Sequence, residues 1–194
     1  MAAATNVTLL FLPGLGGSDH AHWQTYWEQR SSNCRRVLQR DWLNPQCTEW
    51  VACLQQAVAQ STPPVVLVAH SLGCVCVAHW AQTLRGNQAS HRHSKVKGAL
   101  LVAPADVESP THTPPAVRNF SPIPLQPLPF TSMVLASAND PYVSITRAQQ
   151  FAHSWRSHLV NVGDLGHINA ASALGHWPQG YHFLEQLLAE IALP

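Results

Sequence analysis

Three residues in one chain order carry the chemistry that this sequence offers: Ser71, Asp140 and His167. A serine hydroxyl is a poor nucleophile at neutral pH. It needs a base within hydrogen-bond reach, and the base needs a carboxylate to hold its tautomer and to stabilise the imidazolium. Serine, then acid, then histidine is one of the orders in which such a trio is built. Ser71 lies in Ala69-His70-Ser71-Leu72-Gly73, after the apolar β-branched residues 65–68 and before the small apolar residues 73–81. Strand, sharp turn with a serine, helix is the setting of a nucleophile elbow, and Ala69 stands where G-x-S-x-G has its first glycine. The competing reading is a serine that only caps the helix. Asp140 lies in Asn139-Asp140-Pro141 beyond an apolar strand, and His167 lies in Gly166-His167-Ile168-Asn169 just past the last one.

Twelve histidines make a histidine cheap, so position counts for more than presence. His70 precedes the serine and is expected to point away from it. His79, His91, His93, His112, His153, His158, His176 and His182 fall on helices, strand starts or remote loops. His20 and His22 sit near a glycine loop and are the rivals for the base; they read as pocket walls. The rival acid is Asp164, three positions before His167 in the same loop. It cannot easily reach around to the imidazole and reads as a loop cap.

The oxyanion of a tetrahedral intermediate needs two preset N–H donors. One is expected from Leu72, directly after the nucleophile, and the other from Leu15 in Pro13-Gly14-Leu15-Gly16-Gly17. That glycine run could instead cradle a phosphate, but it has neither G-x-x-x-x-G-K-[ST] nor G-x-G-x-x-G spacing. Gly14, Gly16, His22 and Trp23 are the expected substrate-binding residues, although Trp23 also suits a core position.

Six apolar strands must position these groups. They fall near residues 7–12, 35–40, 65–68, 98–104, 133–136 and 158–163. Helical spacing follows at 21–30 (Trp23, Tyr26, Trp27), at Trp50, Val51, Leu54 and Val58, from the elbow to about residue 84, at 144–155, and from Pro178 with Leu184, Leu187, Leu188 and Ile191. Arg85-Gly86-Asn87 closes the third helix. Residues 109–129 hold seven of the fifteen prolines and read as a loop without regular structure, an excursion over the strand ends that borders a pocket. Strand and helix alternate without an internal repeat, which predicts a mostly parallel sheet of about six strands with helices on both faces. Ligands of such sheets bind at the carboxyl ends of strands, where Ser71, Asp140 and the Gly14 loop all fall.

The 194 residues suit one domain, 1–194, and the composition, 46% hydrophobic and 11% charged, excludes a disordered chain. The net charge is +1, and the only basic patch, residues 91–97, reads as a solvated loop, so no nucleic-acid partner is expected. No run reaches the ~20 apolar residues of a membrane span. The N-terminal run has no preceding positive charge and reads as a first strand. Five cysteines at irregular spacing make no disulfide framework, so a reduced cytoplasmic setting is expected. Cys74-x-Cys76 lacks a second ligand pair, so no metal is expected.

Together, Pro13-Gly14-x-Gly16-Gly17-Ser18 with His22-Trp23, Ala69-His70-Ser71-Leu72-Gly73, Asn139-Asp140-Pro141 and Gly166-His167-Ile168-Asn169 resemble the small serine hydrolases of the YdeN-like family, to which the retinoblastoma-binding protein 9 group belongs. The resemblance covers nearly the whole chain. It implies a compact α/β-hydrolase fold with no separate cap domain, a triad of Ser71, Asp140 and His167, and no metal or organic cofactor. The L-x-C-x-E motif linked with retinoblastoma binding is absent, because Pro45 stands where Leu is expected before Cys47 and Glu49; that partner is not supported. The expected function is a serine hydrolase, carboxylesterase-like, acting on small esters with amides second. The alternative is a non-catalytic interaction module on the same fold.

Overall fold

The computed structural model describes residues 7–30, 32–62, 64–86 and 95–192. Asn87, in the expected helix stop, and residues 91–94 of the basic patch lie outside that set. The elements run β1 (Thr8–Leu12), α1 (Trp23–Glu28), β2 (Cys34–Arg36), α2 (Cys47–Gln60), β3 (Val65–His70), α3 (Leu72–Thr83), β4 (Val96–Val102), β5 (Thr131–Ala136), α4 (Ile145–Trp155), β6 (His158–Asn161) and α5 (Pro178–Ala192). The six strands form one all-parallel sheet in the order β2-β1-β3-β4-β5-β6.

The near-continuous apolar strands are explained by burial on both faces. Side chains alternate across a strand, so β3 sends Val65, Leu67 and Ala69 to one core and Val66 and Val68 to the other. The first core is closed by α2, α3 and α4, through Trp50, Leu54, Val77, Phe151 and Trp155. The second is closed by α1 and α5, through Trp23, Trp27, Leu184 and Leu187, with Trp177 stacked on Trp27. The chain leaves β1 for β2 on one side and returns to β3 on the other. The strand order therefore reverses between β1 and β3, and a crevice opens outside their carboxyl ends.

Three boundaries differ from the sequence reading. The second strand is three residues long: the Val37 N–H still reaches the Phe11 carbonyl, but the chain then turns outward and leaves Leu38 exposed. The second helix begins at Cys47, where Asn119 accepts a hydrogen bond from the Cys47 N–H. The proline-rich excursion is not wholly irregular, since residues Pro115–Phe120 form a 3₁₀ helix with proline in its first turn, where the missing N–H costs nothing.

That excursion belongs to the body of the fold. Val117, Phe120 and Ile123 join the first core. Arg118 donates to the Val107 carbonyl and to both oxygens of Thr113, and Arg147 on α4 pairs with Asp106 and Glu108. His79 on α3 and Trp155 on α4 bond to the carbonyls of Phe120 and Pro124.

Candidate active site

Ser71 sits between β3 and α3 with φ 56° and ψ −121°, a conformation that L-residues rarely adopt and that costs about 1–3 kcal/mol. The turn keeps it because its backbone is held on two sides: its N–H donates to the Val102 carbonyl of β4, and its carbonyl accepts from the Cys74 N–H. Its side chain makes no capping bond, so the capping reading does not describe it. Two glycines let the turn close. A Cβ on Gly73 would stand 2.3 Å from the Leu12 carbonyl oxygen, and one on Gly14 would stand 2.7 Å from the Ser71 Cβ. The smallness of residue 73 is thus set by the approach of α3 to the end of β1. Ala69 is fully buried within β3 and fits as it stands.

The three residues named from chain order meet. His167 Nε2 lies 2.8 Å from Ser71 Oγ, and His167 Nδ1 lies 2.9 Å from each carboxylate oxygen of Asp140. The Asp140 side chain is fully buried, and Oδ1 also accepts from the Tyr142 N–H.

Asp140 and His167 come from different loops, and residues that sequence reasoning passed over join those loops. Asn139 Oδ1 accepts from the Gly166 N–H at 2.7 Å and from Ser137 Oγ, while Ser137 Oγ itself accepts from the Leu165 N–H. Asp164 is exposed and bonds to nothing among the described residues, so the expected loop cap is supplied instead by Ser137, Asn139 and Asn161. The signal available in the sequence was Asn139 itself, a short amide beside the acid where the chain must turn.

A cavity of about 280 Å³ opens on Ser71 and His167. The glycine loop supplies Gly14, Leu15 and Gly17, the elbow supplies Leu72, the excursion supplies Thr113, Pro114 and Val117, and Tyr142 and residues 169–171 complete the wall. Of the expected substrate-binding residues, Gly14 and His22 line the cavity and Gly16 and Trp23 do not. Gly16 turns outward with its N–H on the Trp42 carbonyl. Trp23 is buried among Trp27, His70 and Trp177, and its Nε1–H donates to the Ile168 carbonyl at 2.7 Å. The N–H groups of Leu15 and Leu72 have no acceptor among the described residues, and both residues face the cavity. Leu72 is the first residue of α3, where helix N–H groups are free by construction and the dipole favours an anion.

His22 caps α1, its Nδ1 accepting from the Gln24 N–H, which places its proton on Nε2. Burial pushes its pKa down to about 4, so it stays neutral at pH 7. Burial likewise holds His70 well below the usual histidine range. Gln24 interrupts an aromatic helix face and ties the site together: it accepts from Ser18 Oγ and donates to the Val68 carbonyl. Burial raises the thiols of Cys74 and Cys76 well above the normal range, so neither is a thiolate. Among the described residues no group of histidine, cysteine and acidic side chains is arranged to hold a metal, and no helix is long and apolar enough to cross a membrane.

Residues 9–186 match the family described as Serine hydrolase. A YdeN-like hydrolase from Pectobacterium atrosepticum is 34% identical, with 95% of this chain and 92% of that one covered and a TM-score of 0.82. The ydeN gene product of B. subtilis is 18% identical over 93% of this chain and 98% of that one, with a TM-score of 0.70. Est1E from Butyrivibrio proteoclasticus, solved with ferulic acid bound, is 12% identical over 94% and 89%, with a TM-score of 0.66. Alpha/beta hydrolase domain-containing protein 10 from mouse is 15% identical over 94% of this chain and 91% of that one, with a TM-score of 0.63; the shared fold is that of the α/β hydrolases, and among the described residues no separate cap domain stands apart from the single sheet and its helices. Among curated proteins none matches this chain significantly.

Proposed function

Because the chain belongs to the serine hydrolase family, as a YdeN-like member with hydrolase activity, we propose that it cleaves small carboxylic esters by acyl transfer to Ser71 and then to water. The observation that carries this reading is the continuous hydrogen-bonded line from Asp140 through His167 to Ser71, at 2.9 and 2.8 Å. Ser71 Oγ attacks the ester carbonyl carbon as His167 Nε2 takes the hydroxyl proton. Asp140 stabilises the imidazolium through Nδ1–H. The N–H groups of Leu72 and Leu15 receive the oxyanion. The tetrahedral intermediate expels the alcohol, which takes the proton from Nε2 as it leaves. Water then repeats the sequence on the acyl-enzyme, with His167 again as base, and releases the carboxylic acid and the free serine. No cofactor enters these steps.

The excursion, through Thr113, Pro114 and Val117, gives one side of the cavity a mostly apolar wall suited to a short acyl group. Esters come before amides because an alcohol is the better leaving group. The reading takes residues 1–194 as one α/β-hydrolase domain. It places the protein in the cytoplasm, which five free thiols support.

A fluorophosphonate probe followed by peptide mass spectrometry tests the reading. One adduct is expected, on the peptide that carries Ser71, with hydrolysis of p-nitrophenyl acetate and loss of both in Ser71→Ala. An adduct elsewhere refutes the assignment of the nucleophile. A folded protein with neither labelling nor turnover supports an interaction module instead.

A further inference from the structure

His167 sits on a loop whose next residue is strained. Ile168 has φ 49°, and a β-branched residue in the left-handed region pays more than most. Such a conformation persists only where the surroundings over-determine it. Two side chains from elements distant in sequence hold the carbonyls on either side of that strained α-carbon. His70, the last residue of β3, has Nε2 2.9 Å from the His167 carbonyl oxygen. Trp23, the first residue of α1, donates to the Ile168 carbonyl at 2.7 Å. Both donors are buried, and Ile168 itself is fully buried in the second core.

We propose that His70 is a positioning residue for the hydrolytic site: with Trp23 it clamps consecutive carbonyls of the base loop and so holds the strained Ile168 turn that aims His167 Nε2 at Ser71. This rests on the acyl-transfer reading given above. A carbonyl can only accept, so the bond fixes the His70 proton on Nε2 and leaves Nδ1 bare. Burial among His22, Trp23 and His167 keeps that imidazole neutral, so no second positive charge opposes the imidazolium that forms at His167, 4.9 Å away between ring centroids. The clamp joins the nucleophile to its base through the fold: the residue directly before Ser71 holds the backbone of the residue that must take the Ser71 proton.

The test is a pair of amides. Gln at position 70 carries its N–H₂ about as far out as the imidazole Nε2, whereas Asn falls one methylene short. His70→Gln retains kcat for p-nitrophenyl acetate to within a few-fold. His70→Asn loses roughly 10²-fold in kcat, the scale of a 1 Å misplacement, with KM within about twofold and near-native circular dichroism. The far-downfield Nδ1–H resonance of His167 stays sharp in the wild type and in His70→Gln and broadens in His70→Asn. If His70→Asn does not fold, Trp23→Phe reads the same turn through the second donor and lowers kcat about tenfold. Clamp donors share one turn, so the double variant His70→Asn/Trp23→Phe loses less than the product of the two single losses. Wild-type kcat in folded His70→Asn, or equal losses in the Gln and Asn variants, overturns the clamp while leaving the acyl-transfer reading intact. Failure of the wild type to label or turn over is the separate result that removes that reading.

Discussion

The Ser71 turn and the His167 loop hold their side chains by different means. Ser71 is held by its own backbone: a strained φ, hydrogen bonds to β4 and α3, and two glycines, Gly73 at the start of α3 and Gly14 after β1, whose missing side chains let α3 close on the end of β1 and let the loop after β1 close on the serine. His167 is held by side chains that reach its loop from elsewhere. Asn139 and Ser137 reach it from the Asp140 loop, and His70 and Trp23 reach it from β3 and α1. The first arrangement fails only when packing fails, so its breakage shows as lost stability. The second can be cut one hydrogen bond at a time, so its breakage shows as lost turnover in a folded protein.

The largest effect is expected where the His167 loop meets Asp140. Asp140→Asn keeps the shape of the residue but removes the charge and favours the wrong imidazole tautomer, and kcat falls by roughly 10⁴-fold. The thermal midpoint moves little, because the amide keeps the buried residue's shape and its oxygen can still accept from the Tyr142 N–H. Asp164→Asn is the matched control, and steady-state kinetics on one ester at one pH should leave it near the wild-type rate. The reverse result would mean that the acid has been assigned to the wrong loop.

Next in size is a break in the elbow. Gly73→Ala drives a Cβ to 2.3 Å from the Leu12 carbonyl and 2.9 Å from that of Pro13, both backbone atoms that cannot swing aside. Overpacking of this kind costs about 3 kcal/mol, read as a lower midpoint in urea or heat, and activity falls along with stability. A stable, inactive Gly73→Ala would contradict the contrast between the two regions.

The smallest of the three is Asn139→Ala. It removes the acceptor for the Gly166 N–H and uncouples the Asp140 loop from the His167 loop, and the expected loss is about tenfold in kcat, or 1.4 kcal/mol of transition-state stabilisation. Stability should change by about 1 kcal/mol, the ordinary worth of one hydrogen bond. A kcat equal to the wild type's would show that Asp140 alone aligns His167.

The sequence by itself determined what is local and periodic. The β3-Ser71-α3 unit is contiguous, so its strand, turn and small flanks stand side by side in the chain. The apolar strands alternating with helices force a parallel sheet, and a parallel sheet brings every strand's carboxyl end to one edge. That edge, with the serine-acid-histidine order, singles out Ser71, Asp140 and His167 as the candidate site. Only the tertiary structure decided what surrounds them. The partner of His70 lies 97 residues away and that of Trp23 lies 145 away, and no spacing rule spans such distances. Whether Gly16 or Gly17 faces the cavity depends on where the Trp42 carbonyl catches the loop. Whether Trp23 walls a pocket or a core depends on Trp27 and Trp177 filling the space beneath it. Periodicity says that a face is buried; packing between distant elements says against what.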